Sequence, residues 1–335
     1  MKLMKINDCF FQPVILTLFV LVLNILPCML FAQPKPLHVS LIHTVSTDGK
    51  ESKEMDYHFS FNLFSGIVRD IKGLEIGTFY NENTGNLKGV QISGLLNKTT
   101  GTAAGLQVAG LTNLSGNIKG IQAGGITNHS RSVHGIQVAG LINTSNEIIG
   151  IQLGGILNRA TILNGIQIGL VNIADDGDNG IGIGLLNIYK KGGYRELEFS
   201  ASDYLNSGIT LRTGTKKLYS ILSVGYHFRS SDYIAGGFGA GTLLSIGTSF
   251  YIKPEFLMYN YVTTDLRFKN TINSYHFRSG LMYKIDKIGI SVYPGLFYHH
   301  THENATAHLG WFDPIRIGTK GSWNIGLGLG LNFIL

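Results

Sequence analysis

Cysteine is nearly absent: Cys9 and Cys28 are the only two, and both fall within the first 32 residues. A chain that has lost that segment holds no thiol, which excludes disulfides, thiolate metal sites and a cysteine nucleophile. Charge is scarce as well, at 14% of residues, and the net +6 is scattered without any basic run. That pattern excludes a nucleic-acid patch and is compatible with an anionic surface such as lipopolysaccharide. Proline is limited to 7 residues against 44 glycines, no Gly-X-Y period excuses the glycine as collagen, and 44% hydrophobic residues argue against disorder. After residue 32 no apolar stretch is long enough for a helical span. Membrane insertion would then require a closed β-barrel, in which every backbone group finds a partner.

Catalytic signatures are missing too. No Gly-x-Ser-x-Gly elbow, P-loop, dinucleotide glycine fingerprint or His-Glu-x-x-His helix is present. Carboxylates are sparse in the glycine-rich region, so an acid and base pair is hard to assemble there. A hydrolase acting on envelope polymers therefore has no nucleophile or carboxylate pair behind it, and neither enzymatic activity nor a cofactor is expected.

Residues 1–32 begin with Lys2 and Lys5 and continue as an apolar run from Val14 to Ala32, interrupted at Asn24 and Pro27. This predicts a secretory signal peptide cleaved after Ala32. The uninterrupted part is too short for a membrane-spanning helix. Lipoprotein processing at Cys28 is the alternative, but Pro27 fits poorly before such a site.

The strongest feature is a repeat. Blocks like Gly-Ile-Gln-Val-Ala-Gly-Leu-Ile-Asn at 135–143 start at Gly73, Gly89, Gly105, Gly120, Gly135, Gly150, Gly165 and Gly180, spaced 16, 16 and then 15 residues. Six inner units carry Gln at the third place (Gln91, Gln107, Gln122, Gln137, Gln152, Gln167), and Glu75 and Gly182 replace it in the end units. Units close on Asn, among them Asn97, Asn113, Asn128, Asn143 and Asn158. Apolar residues at −2, +1, +3 and +6 from the glycine, such as Ile148, Ile151, Leu153 and Ile156, do not keep the period of two of an unbroken strand. Bends near Gly150 and Gly155 would turn all four inward, giving a β-solenoid in which Gln and Asn stack as amide ladders. The alternative makes each unit one strand of a single large barrel, a pore or transporter. Antiparallel strands would then repeat every second unit, whereas every unit here is alike.

The span Phe59–Phe64, the Gly-Ile-Gln-x-Ala-Gly repeats, and Gly184-Leu185-Leu186-Asn187 followed by Lys190-Lys191-Gly192 resemble an uncharacterised family of exported Bacteroidetes proteins. They are similar as well to glycine-rich surface repeats of spirochaete lipoproteins. The resemblance implies an outer-membrane or surface location and carries no catalytic residue with it.

From about Gly193 the pattern becomes plain alternation in segments separated by polar turns, the signature of membrane β-strands. In 323–335, Trp323, Ile325, Leu327, Leu329 and Leu331 share a face opposite Asn324, Gly326, Gly328 and Asn332. Further strands are predicted at 195–201, 206–212, 218–228, 233–243, 249–260, 274–284 and 288–298. Eight strands suffice to close a small barrel with a lumen filled by side chains. The final strand, with Phe333 and Leu335 two apart, resembles an outer-membrane insertion signal. A soluble β-sandwich would use the same greasy face against a second sheet.

The expected organisation is all-β: a signal peptide at 1–32, N-terminal strands or a cap at 33–72, a repeat β-solenoid at 73–190, and an antiparallel barrel of about eight strands at 191–335. The two strand-like runs Leu37–His43 and Tyr57–Phe64 are assigned neither to solenoid nor to barrel. Two clusters remain. His299, His300, His302 and His308 with Glu303 have imidazole spacing suited to zinc or copper, and Asp175, Asp176 and Asp178 have oxygens suited to calcium. A solvated loop and a polar turn are the expected readings, so no metal site is predicted. The function expected is a non-enzymatic outer-membrane or surface protein with a structural or binding role. Its partners would be outer-membrane lipid or lipopolysaccharide, with envelope glycans or proteins, and no nucleic acid.

Overall fold

The computed structural model describes residues 34–228, 232–264, 271–301, 315–317 and 321–335. Residues 1–32, where a signal peptide is expected, and His302, Glu303 and His308 lie outside the described residues. The chain is a β-solenoid of about nine turns followed by a closed, eight-stranded antiparallel barrel.

In the solenoid each unit lies parallel to the one before and in register with it. Strand Thr127–Ala139 pairs with Thr112–Gly124 on one side and Ile142–Gly154 on the other, so that Gly135 faces Gly120 and Gly150, and Gln137 faces Gln122 and Gln152. The stack does not begin at Gly73. Lys35–Ile42 pairs in parallel with Asp56–Asn62, which pairs with Asp70–Gly77, so the two unassigned runs are the first layers of the solenoid. A single large barrel is overturned by this parallel register, since barrel neighbours would run oppositely.

One sequence expectation needs correction. Of Ile148, Ile151, Leu153 and Ile156, only Ile148 is buried; Ile151 and Leu153 are half-buried and Ile156 is 47% exposed. Gly150 is not a corner. The strand passes through it with period two, so Ile148, Gln152 and Gly154 face in while Ile151 and Leu153 face out. The phase slips instead between Ser145 and Ile148, both buried, and again at the turn Gly155–Ile156. The core is accordingly half apolar, from a column including Ile118, Val133, Ile148 and Leu163, and half amide.

The glycine column answers to close backbone stacking. Gly135 has φ 140, and a Cβ built there would lie 2.1 Å from the Gly120 carbonyl oxygen. The same holds at Gly105, Gly120 and Gly150. Any side chain would pry the layers apart.

The barrel strands are Gly193–Ser202, Ser207–Thr215, Tyr219–Phe228, Asp232–Gly241, Phe250–Thr263, Ile272–Ile285, Ile288–Thr301 and Gly321–Ile334. Each falls where alternation placed one. The last strand pairs with the first, Leu331 opposite Phe199, and this closes the ring. Outward residues are apolar and exposed, among them Phe238, Phe277, Leu281, Ile290, Ile325 and Leu329. The final solenoid coil is hydrogen-bonded to one end of the barrel. The backbone N–H of Asn187 donates to Thr213 Oγ1 at 3.1 Å, and its side-chain Nδ2 donates to Ser220 Oγ at 2.8 Å.

Replacing Gly135 with alanine forces an L residue into a glycine-only region and against stacked backbone, at an expected cost of about 2–4 kcal/mol. Gly236→Ala in the barrel, where a Cβ meets nothing within 4 Å, should be nearly neutral. Denaturant melts of the full chain in detergent, followed by far-UV circular dichroism, compare the two.

Candidate functional site

Three groups of buried polar side chains stand out, and the first is the pair of amide ladders. Each Gln donates from Nε2 to the Oε1 of the preceding unit's Gln: Gln167 to Gln152, Gln152 to Gln137, Gln137 to Gln122 and Gln122 to Gln107, each at 2.8 Å. Gln107 reaches Gln91 at 2.7 Å, and Gln91 ends the chain on Glu75 at 2.8 Å. The Asn ladder runs the other way. Asn97 donates to Asn113, Asn113 to Asn128, Asn128 to Asn143 and Asn143 to Asn158, at 2.9–3.0 Å. Each of these Nδ2 atoms also donates to a backbone carbonyl near the far end of its own strand, as Asn128 does to Val138, which fixes the amide's orientation. Buried amides must be paired or they destabilise, and stacking in register pairs them along both columns, leaving Oε1 of Gln167 at the last glutamine rung without a partner.

Both departures in the end units follow from this geometry. At the donor-receiving end an acceptor is needed, and the carboxylate of Glu75 accepts from Gln91, Asn62 and Asn83. Burial raises its pKa from 4.5 to about 7 against the pull of those three N–H donors. At the other end Gly182 makes room for Tyr189, whose hydroxyl would lie 2.1 Å from a Cβ at that position. The buried Tyr189 ring there closes the apolar half of the core.

The second group fills the barrel lumen and was not singled out from sequence. Arg212 bridges Glu196 at 2.7 Å, Glu198 at 3.0 Å and Glu255 through Nε at 2.6 Å. Lys253 adds Glu196 at 2.9 Å and Asn332 at 3.1 Å. Arg278 donates to Glu255 at 2.8 Å and to the Tyr204 hydroxyl at 2.7 Å, and its guanidinium lies 4.4 Å from the centre of the Tyr293 ring. Tyr194 and Tyr293 donate to Glu196 and Glu198. Three carboxylates face three cations, so the cluster is neutral. The signal was present: Glu196, Glu198, Arg212, Lys253, Glu255 and Arg278 all sit in the phase opposite the apolar residues of their strands.

The third group is histidine. His299 is not in a loop; it lies in strand Ile288–Thr301, points into the lumen, and shares Ser274 with His276 at 2.7 Å each. The Tyr204 ring packs edge-on against His276 and the Phe297 ring packs against it at a tilt. Among the described residues no three His, Cys, Asp or Glu side chains are grouped to hold a metal. Asp175, Asp176 and Asp178 are engaged by the next coil's lysines, Asp175 with Lys190 and the other two with Lys191, at 2.7–2.8 Å. Those contacts lower the pKa of Asp175 and Asp176. No protein-family model matches the chain, and no curated protein matches it.

Glu75 gives the solenoid a pH dependence of known sign. A carboxyl whose folded pKa is raised stabilises the fold fully below its unfolded value and loses that contribution as pH rises through about 7. The solenoid should therefore lose stability between pH 5 and pH 8, and Glu75→Gln should remove that component. His38, lowered by burial, contributes the opposite slope below 6.5, so the difference between the two thermal-melting curves isolates Glu75.

Proposed function

We propose that this is a non-enzymatic outer-membrane protein in which the barrel is the anchor and the solenoid is the working part, a rigid contact surface for envelope glycans or proteins. The observation that carries the reading is the inversion of the barrel: charge and tyrosine inside, aliphatic and aromatic side chains outside. A soluble barrel or sandwich would have the reverse.

Aromatic pairs at both ends support it. Phe250 and Tyr283 meet at 4.8 Å near the solenoid end, and Tyr275, Tyr298 and Trp323 form a contiguous set near the other, with Tyr298 and Trp323 5.1 Å apart. Tyr275 and Tyr283 lie on one strand; tilted as barrel strands are, they are separated by about 20 Å across the membrane, close to the height of an apolar band between interfacial girdles. The solenoid joins the end that carries connections 216–218, 242–249 and 286–287, while Thr301 and Gly321, which bound the longest sequence interval between barrel strands, lie at the other end. Short turns face the periplasm and long loops the exterior in such barrels, which puts the solenoid on the periplasmic side in this reading.

The lumen does not conduct. Arg212, Lys253, Glu196 and Glu198 are all 0% exposed, whereas residues lining an aqueous channel would be wet.

Fractionation should recover the protein with outer membranes, with a gel mobility that changes on boiling. Recovery as a soluble species would end the anchoring role. Planar bilayers should show no steady conductance. Arg212→Leu, which leaves three buried carboxylates facing only Lys253 and Arg278, should cost about 3–5 kcal/mol by urea titration in detergent.

A further inference from the structure

The outer surface of the solenoid is divided lengthwise, and one side carries three unbroken apolar rows, with Thr78, Tyr80, Thr112 and Thr127 as the polar side chains beside them. In register along the stack, the row at +3 runs from Val39 and Phe61 through Ile92 and Val138 to Ile183. The row at +1 runs from Leu37 and Phe59 through Ile121 and Ile151 to Ile181 in the same ladders. A third, at +6, follows the turns from Leu41 and Phe64 through Leu111 and Leu141 to Leu185, layer hydrogen-bonded to layer. Every member of the three rows, in ten layers, is Ala, Val, Leu, Ile or Phe. Phe64, Ile156 and Leu170 are nearly half exposed.

At about 4.8 Å per layer the face is roughly 43 Å long and on the order of 800 Å² in area. The largest apolar patch on an ordinary soluble monomer is about 300–600 Å².

The borders of the face are basic. The row one residue before the leading glycines holds Lys72, Lys88, Lys119 and His134 and no acid, though Lys72 is ion-paired to Asp56 at 3.3 Å. The row beyond the closing Asn holds Lys98, His129 and Arg159, and its one acid, Glu82, is ion-paired to Lys98 at 2.7 Å. A greasy centre with cations along both edges is what a surface bedded in a lipid leaflet presents, its lysine stems lying along the apolar region and their heads at the phosphates. A protein partner would meet about one hydrogen bond per 100–200 Å², whereas the three rows offer none and the Tyr80, Thr112 and Thr127 hydroxyls beside them are already engaged within the solenoid.

We propose that the apolar half of the solenoid lies against the acyl region of a bilayer leaflet rich in anionic phospholipid, next to the barrel to which the last coil is hydrogen-bonded. This rests on the membrane reading of the barrel. Only the opposite, polar half is then left for other partners.

The test uses the full chain with Cys9→Ser and Cys28→Ser, refolded into vesicles of phosphatidylethanolamine and phosphatidylglycerol, with one cysteine carrying an environment-sensitive fluorophore. Val138→Cys probes the apolar face, Arg131→Cys the polar half and Leu329→Cys the barrel wall. Brominated acyl chains should quench the labels at Val138 and Leu329 several-fold more than the label at Arg131. A triple variant, Ile92→Lys, Val138→Lys and Ile168→Lys, should keep its circular dichroism. Placed in that background with Ala123→Cys as the probe, it should lose the quenching seen at Ala123→Cys alone. Quenching at Leu329 but not at Val138 would overturn the bedding and leave the barrel in the membrane. Unquenched Val138 that forms a disulfide with its own counterpart would assign the face to a second copy and overturn it as well. No quenching at Leu329 would remove the membrane reading, and the bedding with it.

Discussion

Everything in the solenoid depends on a backbone-to-backbone spacing held constant from layer to layer. Only at that spacing can an Nε2 of one glutamine reach the Oε1 of the next, and only a glycine column allows it. The contribution of any one such bond is modest, about 1 kcal/mol net. Its absence is costly, because an unpaired amide in this interior has no water to turn to. A coil slipped by one residue would leave its Gln and Asn unpaired and put Val or Leu in their place. Register is thus specified by polar groups, while the apolar column of Val133 and Ile148 supplies bulk burial without choosing between neighbouring alignments.

The two ladders point in opposite directions, glutamine donors toward the N-terminal end and asparagine donors toward the barrel. Aligned amide dipoles add along a stack, as they do in a helix. Opposed columns in one core cancel, so the stack builds up little net dipole as it lengthens. The ends are built differently: Glu75 receives the glutamine column, while Asn187 hands the asparagine column to Ser220 of the barrel.

Much of this was legible in the sequence, and the failures have a common cause. The repeat, its parallel stacking and all eight barrel strands follow from period and alternation. The orientation of the apolar repeat residues did not, because the sequence reading turns all four of them inward. That assumption is sound for a protein surrounded by water. Here Gln152 is inside and Ile156 outside, and the same inversion, in the barrel, puts Arg212 inside and Leu329 outside. Once the barrel's greasy exterior is recognised in Ile325, Leu327 and Leu329, the same logic applied to the repeats would have placed their leucines outward. The lumen charges were equally visible as period-two partners of outward residues. The His299 pairing with Ser274 was not, since it joins neighbouring strands whose register the sequence alone does not give.

Specialised ends and interchangeable middles have an evolutionary corollary. A unit such as 135–149 presents the same acceptors and donors above and below, so duplicating or deleting one leaves Glu75, Tyr189 and Ser220 with their partners. The rod can grow or shrink in whole steps of one layer by unequal crossing-over, without any compensating change elsewhere. Length becomes a freely heritable dimension, while the attachment to the barrel stays the same.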